Sequence, residues 1–254
     1  MEQNPYQIQP GPKTRDTATP MVLFHDAGGT IFPYFRLADL HRPVYGISNA
    51  RFNEGGHWQH GFRQMGVVYT HLVRSVIPSG NIFLGGWSLG GSLALEVAAR
   101  LMKLPQYKVQ GVILIDSIFL TESVKAHCPT TLDEFVASFK FPSQISDTHL
   151  AQAKQCVLHC YQAQCGWQPP PLSSRPPAVL LRATDPVNPE VEEMHFLDGV
   201  RSSTYLGWED CDASFIVASL EVAGSHFTLF DSPHNETITS QIQRACSILI
   251  ETRS

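Results

Sequence analysis

The stretch Gly85-Gly86-Trp87-Ser88-Leu89-Gly90-Gly91 decides how this chain is read. Ahead of it runs Asn81-Ile82-Phe83-Leu84, a short apolar segment of strand type, and behind it runs Ser92 to Met102, which has helical character. Gly86-x-Ser88-x-Gly90 therefore lies at a strand-to-helix turn. In that context the serine is held on a sharp bend with its hydroxyl exposed, and the glycines let neighbouring backbone pass close to it. The new helix aims the positive end of its dipole at the same point. The competing reading is an ordinary glycine-rich turn, which the flanking strand and helix disfavour. Ser88 is accordingly the candidate nucleophile.

Working outward, Pro20 to Phe24 is a continuous apolar run, the mark of a strand buried on both faces. It ends in His25-Asp26-Ala27-Gly28-Gly29-Thr30, whose glycine pair marks a tight loop at the strand's carboxyl end. Such a loop can aim a backbone N–H at developing negative charge. Ala27 is the candidate oxyanion donor, and Leu89, next after the serine, is the second. A helix is expected through Phe35 to Leu40, a strand over Pro43 to Ser48 and a polar loop from Arg51 to His60. Gly61 to Ile77 has helical spacing with Met65, Val68, Leu72, Val73 and Val76 on one side, and Pro78-Ser79-Gly80 ends it.

Val109 to Ile115 is a further buried strand with Asp116 at its carboxyl end. From Thr121 to Pro171 the pattern changes to helical fragments, Leu132 to Phe139 and Thr148 to Gln164, punctuated by Pro142 and Pro169-Pro170-Pro171. This reads as a lid inserted between two strands, with Phe135, Phe139, Phe141, Tyr161 and Trp167 either lining a substrate chamber or holding the lid together. Ala178 to Ala183 returns to the sheet and ends at Thr184-Asp185; Gly207-Trp208 lies in a loop. Phe215 to Val222 is the last strand, and an amphipathic helix from about Glu236 to Glu251 closes the chain. Strands alternating with helices at this rhythm imply a mostly parallel, doubly wound α/β sheet, in which ligands bind at the carboxyl ends of the strands. Residues 20–254 are expected to form one domain, with the lid at about 121–171 and residues 1–19 as a flexible arm.

Composition narrows the function. A chain of 254 residues, 43% hydrophobic and 16% charged, suits a globular protein with a sizeable core. Its net charge of −5, without a basic block, argues against nucleic acid as a partner, and no run of eighteen apolar residues offers a membrane span. The polar N-terminus lacks a signal peptide's apolar core, so a cytoplasmic protein with reduced thiols is expected. Cys156, His159, Cys160 and Cys165 are close enough to suggest a metal site. They lack a second paired-cysteine motif, and Cys156 and Cys160 fit successive turns of one helix, so buried helix cysteines are the better reading and no metal is expected.

A serine hydroxyl needs a base within hydrogen-bond reach, and the base needs an acid to hold its tautomer. In this architecture the chain order is serine, acid, histidine. His226, in Gly224-Ser225-His226-Phe227 just after the last strand, is the candidate base, with His234 the reserve. Asp116 and Asp185 both end strands after the elbow, and spacing alone does not choose between them.

These motifs, with Pro43-Val44-Tyr45-Gly46, Leu114-Ile115-Asp116-Ser117 and Gly207-Trp208, make the chain resemble the thioesterase domains that end polyketide synthases and nonribosomal peptide synthetases. The likeness covers nearly everything after Pro20, with the tone of fungal polyketide enzymes. It implies an α/β-hydrolase fold and maps the acid onto Asp116. It implies a serine-dependent thioesterase that takes its acyl chain from phosphopantetheine on an acyl carrier protein or polyketide synthase, without a diffusible cofactor. Release by water gives an acid, by an internal hydroxyl a lactone, by a carbanion a cyclic ketone. An editing thioesterase, an esterase acting on a soluble ester and a non-catalytic binding module are the rival expectations. The chain starts with Met and shows no carrier domain ahead of it, so either a free-standing enzyme acting in trans or an excised domain is expected.

Overall fold

The computed structural model describes residues 3–12, 18–126, 128, 129, 131–139, 141, 145–190 and 194–253. Seven strands form one sheet: β1 Tyr6–Pro10, β2 Met21–Phe24, β3 Pro43–Ile47, β4 Gly80–Trp87, β5 Tyr107–Ile115, β6 Ala178–Ala183 and β7 Ile216–Val222. Their order is β1-β3-β2-β4-β5-β6-β7. β1 runs antiparallel to β3, and every other pairing is parallel. The α-helices among the described residues are α1 Gly61–Val76, α2 Leu89–Leu101, α3 Glu122–Ala126, α4 Leu132–Ala137, α5 Asp147–Cys165 and α6 His234–Glu251.

The central strands are continuous apolar runs because both their faces are covered. Val22, Phe24, Ile82, Leu84, Val112, Leu114 and Leu180 join the core under α1 and α2, while Met21, Leu23, Phe83, Ile113, Ile115 and Leu181 join the core under α6. Successive side chains on a strand point to opposite faces, so each strand serves both layers. Burying each such side chain stabilises by about 1.5–3 kcal/mol.

Three expectations are corrected. Residues 6–10, read as part of a flexible arm, form the edge strand β1, held by pairing with β3 from Tyr6↔Gly46 to Pro10↔Pro43; residues 13–17 of that arm, like Pro142 of the lid, lie outside the described residues. The helix expected over Phe35 to Leu40 is a short 3-10 helix, Phe32–Arg36. The inner stripe of α1 is centred on Phe62, Met65, Gly66, Tyr69 and Val73, leaving Val68, Leu72 and Val76 half-buried at its margin. Packing turns it so: a Cβ on Gly66 would stand 2.7 Å from Glu96 Cγ, so α1 meets α2 at its glycine.

Candidate active site

Ser88 sits between β4 and α2 with φ 57° and ψ −127°, a conformation that non-glycine residues seldom adopt. The surroundings hold it there. Its N–H donates to the Ile115 carbonyl at 2.9 Å, and the Ser117 hydroxyl donates to its carbonyl at 2.6 Å. The flanking glycines are demanded by close approach. A Cβ on Gly86 would fall 2.4 Å from the Gly90 carbonyl carbon, and one on Gly90 would fall 2.4 Å from the Phe24 carbonyl oxygen. The elbow is thus pressed against the end of β2, and that contact brings the Ala27 loop beside it. Tyr34 ties the two strand ends together: its hydroxyl donates to the Phe24 carbonyl at 2.6 Å and accepts from the Trp87 N–H at 2.8 Å.

The glycine loop is anchored from below. The N–H on His25 Nδ1 donates to the Asp26 carbonyl at 2.6 Å, and its Nε2 accepts from the Tyr69 hydroxyl at 2.7 Å. Burial pushes the imidazole down to about 4 against the opposing Asp26 carbonyl contact, so it is neutral at pH 7. Asp26 is the reverse case. Burial raises its carboxyl to about 7, although backbone N–H groups of Thr30, Gly28 and Gly29 favour the charged form. Ala27 and Leu89, the two expected oxyanion donors, line a small space together with Ser88.

At the carboxyl end of β5, Asp116 is fully buried. Its Oδ2 accepts from His226 Nδ1 at 2.8 Å. Its Oδ1 accepts from the Ala183 N–H at 2.9 Å and from Arg201 Nη1 at 2.6 Å. Burial alone would raise this carboxyl, but the hydrogen bond and charge of His226, then those of Arg201, hold it well below the usual carboxylate range. With Nδ1 engaged by Asp116, His226 has Nε2 left for a hydroxyl. Its ring lies 5.1 Å from the ring of Trp87, the residue before Ser88, and 5.1 Å from that of Phe227. Asp185 does not share in this. Its N–H reaches the Gly224 carbonyl at 3.0 Å, but its exposed carboxylate accepts from the Thr184 hydroxyl. His234 begins α6 and packs against Gly224.

The insertion after β5 covers Ser88. Phe139 of the α4 end, with Tyr161 and Gln164 of α5, closes over the serine, joined from the β6–β7 segment by Phe196 and Leu197. The remaining space is about 20 Å³. A larger groove of about 610 Å³ opens on the outer side of the glycine loop, between Phe32, Phe52 and His149, and does not include Ser88. Of the lid aromatics, Phe135 packs beneath Tyr161 and Phe196, at 4.3 and 5.5 Å between ring centroids. Trp167 is a peg: its Nε1–H donates to Glu96 Oε2 at 3.2 Å and its ring packs on Phe62 and Trp208. Cys156 and Cys160 are buried free thiols on α5, and burial pushes Cys156 up to about 12. Among the described residues no cluster of His, Cys, Asp and Glu is placed to hold a metal ion, and no helix is long and apolar enough to cross a membrane.

Sequence reading missed Arg201, Phe196, Leu197 and Tyr34. The first three lie in a stretch, 184–215, without strand or long-helix periodicity, and Tyr34 lies in the misassigned 3-10 helix. None carries a motif of its own.

A mostly parallel seven-stranded sheet, with a serine elbow after a central strand and a helical insertion above it, defines an α/β-hydrolase fold. A family model described as Thioesterase domain matches residues 19–169, more than half of the chain. The chain belongs to the thioesterase family. It is 34% identical over 97% of its length to "Probable thioesterase BOA10" of Botryotinia fuckeliana, covering 91% of that protein. It is also 34% identical over 97% of its length to "Thioesterase frbE" of Dothideomycetidae sp., covering 96% of that protein. Among solved structures, a covalent complex of the NocB thioesterase domain with a fluorophosphonate nocardicin G analog aligns at TM-score 0.68 and 25% identity, over 90% of this chain and 95% of that one.

Proposed function

We propose that Ser88, His226 and Asp116 form the catalytic triad of an enzyme that releases an acyl or polyketide chain from phosphopantetheine on a carrier protein or polyketide synthase. The observation that carries this reading is the buried 2.8 Å bond from His226 Nδ1 to Asp116, with the His226 ring 5.1 Å from that of Trp87, the residue before a serine held at an unfavourable φ and ψ. In the first half-reaction, His226 Nε2 takes the Ser88 proton as Oγ attacks the thioester carbonyl. The Ala27 and Leu89 N–H groups receive the oxyanion, and His226 returns the proton to the departing thiol. In the second, water or an internal nucleophile of the chain loses its proton to His226 as it bonds to the acyl carbon, and His226 returns that proton to Ser88 Oγ as the acyl–oxygen bond breaks. Asp116 stays ionised throughout and stabilises the imidazolium. No metal or diffusible cofactor enters these steps.

The apolar cover over Ser88 supports a long, largely apolar acyl chain as the substrate class. A space of about 20 Å³ holds little more than a water, so the cap must part from Phe196 and Leu197 for the chain to enter. Keeping water out once it recloses would protect an acyl-serine that awaits an internal nucleophile. Intact-protein mass spectrometry after exposure to an alkyl fluorophosphonate, and separately to an acyl-carrier thioester, tests the reading. The wild-type chain is expected to gain one adduct from each, and Ser88→Ala none. An adduct on Ser88→Ala would overturn the assignment. Faster turnover of a soluble ester than of the carrier thioester would favour the esterase reading.

A further inference from the structure

We propose that Arg201 is a positioning residue for the acid–base pair: its guanidinium bridges Asp116 to Asp198 and withholds part of the Asp116 charge from His226. This rests on the triad reading above. Arg201 Nη1 stands 2.6 Å from Asp116 Oδ1 and Nε stands 3.3 Å from Asp198 Oδ1. The side chains of Asp116, Asp198 and Arg201 are 0%, 6% and 13% exposed, so solvent screens these charges little. Asp198 is itself oriented, its Oδ2 accepting from the Val187 N–H at 2.8 Å. Arg201 Nη1 also donates to the Ala183 carbonyl at 3.4 Å, and the Ala183 N–H bonds Asp116. The segment after β6 thus grips one oxygen of the acid and leaves the other to His226.

The electrical consequence follows from the alternation of sign. A buried carboxylate facing an imidazole alone stabilises the imidazolium with its whole charge and keeps the base protonated to higher pH. A guanidinium on the second oxygen offsets part of that field, and Asp198 tempers the guanidinium in turn. A buried ion network is weak evidence for stability, because desolvation offsets the Coulomb gain. Its attachment to the acid therefore gives this network a functional role and not only a structural one. The other charged groups nearby are turned elsewhere. Arg182 on β6 bonds the Arg201 and Ser203 carbonyls and pairs with Glu221. Asp185 is held by Thr184. His195 bonds the Ser138 carbonyl and the Leu197 N–H, and His234 on α6 lies against Gly224.

The test is the pH dependence of kcat/KM on a short acyl-pantetheine thioester, for the full chain and three variants. Arg201→Met is expected to lower kcat about 10–100-fold through misplacement of the acid. It is also expected to move the acid limb of the profile upward by about one pH unit, because the unneutralised Asp116 holds the imidazolium longer. Arg201→Lys keeps the charge and is expected to return the limb toward its wild-type position, while the loss of the two-pronged bridge leaves kcat reduced. Asp198→Asn frees more of the Arg201 charge and is expected to move the limb downward. A purely structural role would lower kcat or stability in both variants without moving the limb in opposite directions. An acid limb that stays in place or falls in folded Arg201→Met overturns the proposal. Should that variant fail to fold, Asp198→Asn decides, and a limb that is unmoved or raised overturns it. A wild-type chain that forms no Ser88 adduct sinks the triad reading itself; a normal adduct with unmoved variant limbs sinks only the role of Arg201.

Discussion

The insertion after β5 and the segment after β6 both reach Ser88, and they do so by different physics. The insertion is helical and meets the serine largely through side-chain contact, with Phe139 and Tyr161 at the site. Its α5 buries Ala153, Cys156, Val157 and Cys160, and beyond α5 it is pegged by Trp167 to Glu96. The segment after β6 is a chain of turns and 3-10 helices, yet it is pinned by directional bonds: Arg201 to Asp116, Asp198 to Val187, and Trp208 Nε1–H to the Ser117 carbonyl at 2.8 Å. Dispersion contacts part and re-form with little loss of geometry, whereas buried polar bonds hold one arrangement. The cover over Ser88 and the bracket around Asp116 thus stand on neighbouring strand ends.

The two segments differ most in their aspartates. Asp116→Asn is expected to lower kcat by about 10⁴-fold by favouring the wrong histidine tautomer. Asp185→Asn, whose carboxylate touches only Thr184, is expected to stay within about threefold of wild type. Steady-state kinetics on one thioester measures both, and a larger loss at Asp185 would put the acid on the wrong strand.

Removing the largest buried peg of the bracket comes next. Trp208→Ala deletes a fully buried ring and is expected to cost about 3–5 kcal/mol in urea unfolding. Phe139→Ala, on the cap, is expected to shift chain-length preference roughly tenfold while leaving acylation of Ser88 by a small activated ester nearly unchanged. Equal losses on long and short acyl groups would show that Phe139 supports the fold instead of lining the chamber.

The smallest effect concerns the glycine loop. Asp26 is raised from 3.8 to about 7 in the folded protein, chiefly by burial. A raised folded value favours the protonated native state, so this contribution is fully present below about pH 4 and is lost as pH rises through 7. Asp26→Asn is therefore expected to raise the melting temperature by about a few degrees at pH 8 and to leave it unchanged near pH 4. A melting temperature equally altered at both pH values would remove Asp26 as the titrating group.

Most of the sheet and part of the site were legible in the residues alone. β6 is legible to the residue, because Ala178 to Ala183 is apolar but for Arg182 and bounded by a proline pair and a polar turn. The elbow was legible because only glycine tolerates the 2.4 Å approaches at Gly86 and Gly90. β1 was not, because an edge strand with one polar face lacks that apolar signature and is decided by its partner β3. Trp167 was placed among possible chamber residues on its apolarity, but its indole N–H needed an acceptor, and Glu96 supplies one away from Ser88.

What the sequence determined by itself was whatever depends on neighbours along the chain: the sharp turn at Ser88 and the two-faced strands. Tertiary structure alone decided what depends on distance between strand ends. Asp116 and Asp185 follow adjacent strands, and the meeting of the β5 end with the loop after β7 puts Asp116 2.8 Å from His226. The same holds for Arg201, whose partner Asp116 is 85 residues away along the chain. It holds for the small closed space over Ser88, whose walls come from loops brought together by the order of the sheet. Local sterics are written into short stretches; the pairing of charges across a sheet is a property of the assembled fold.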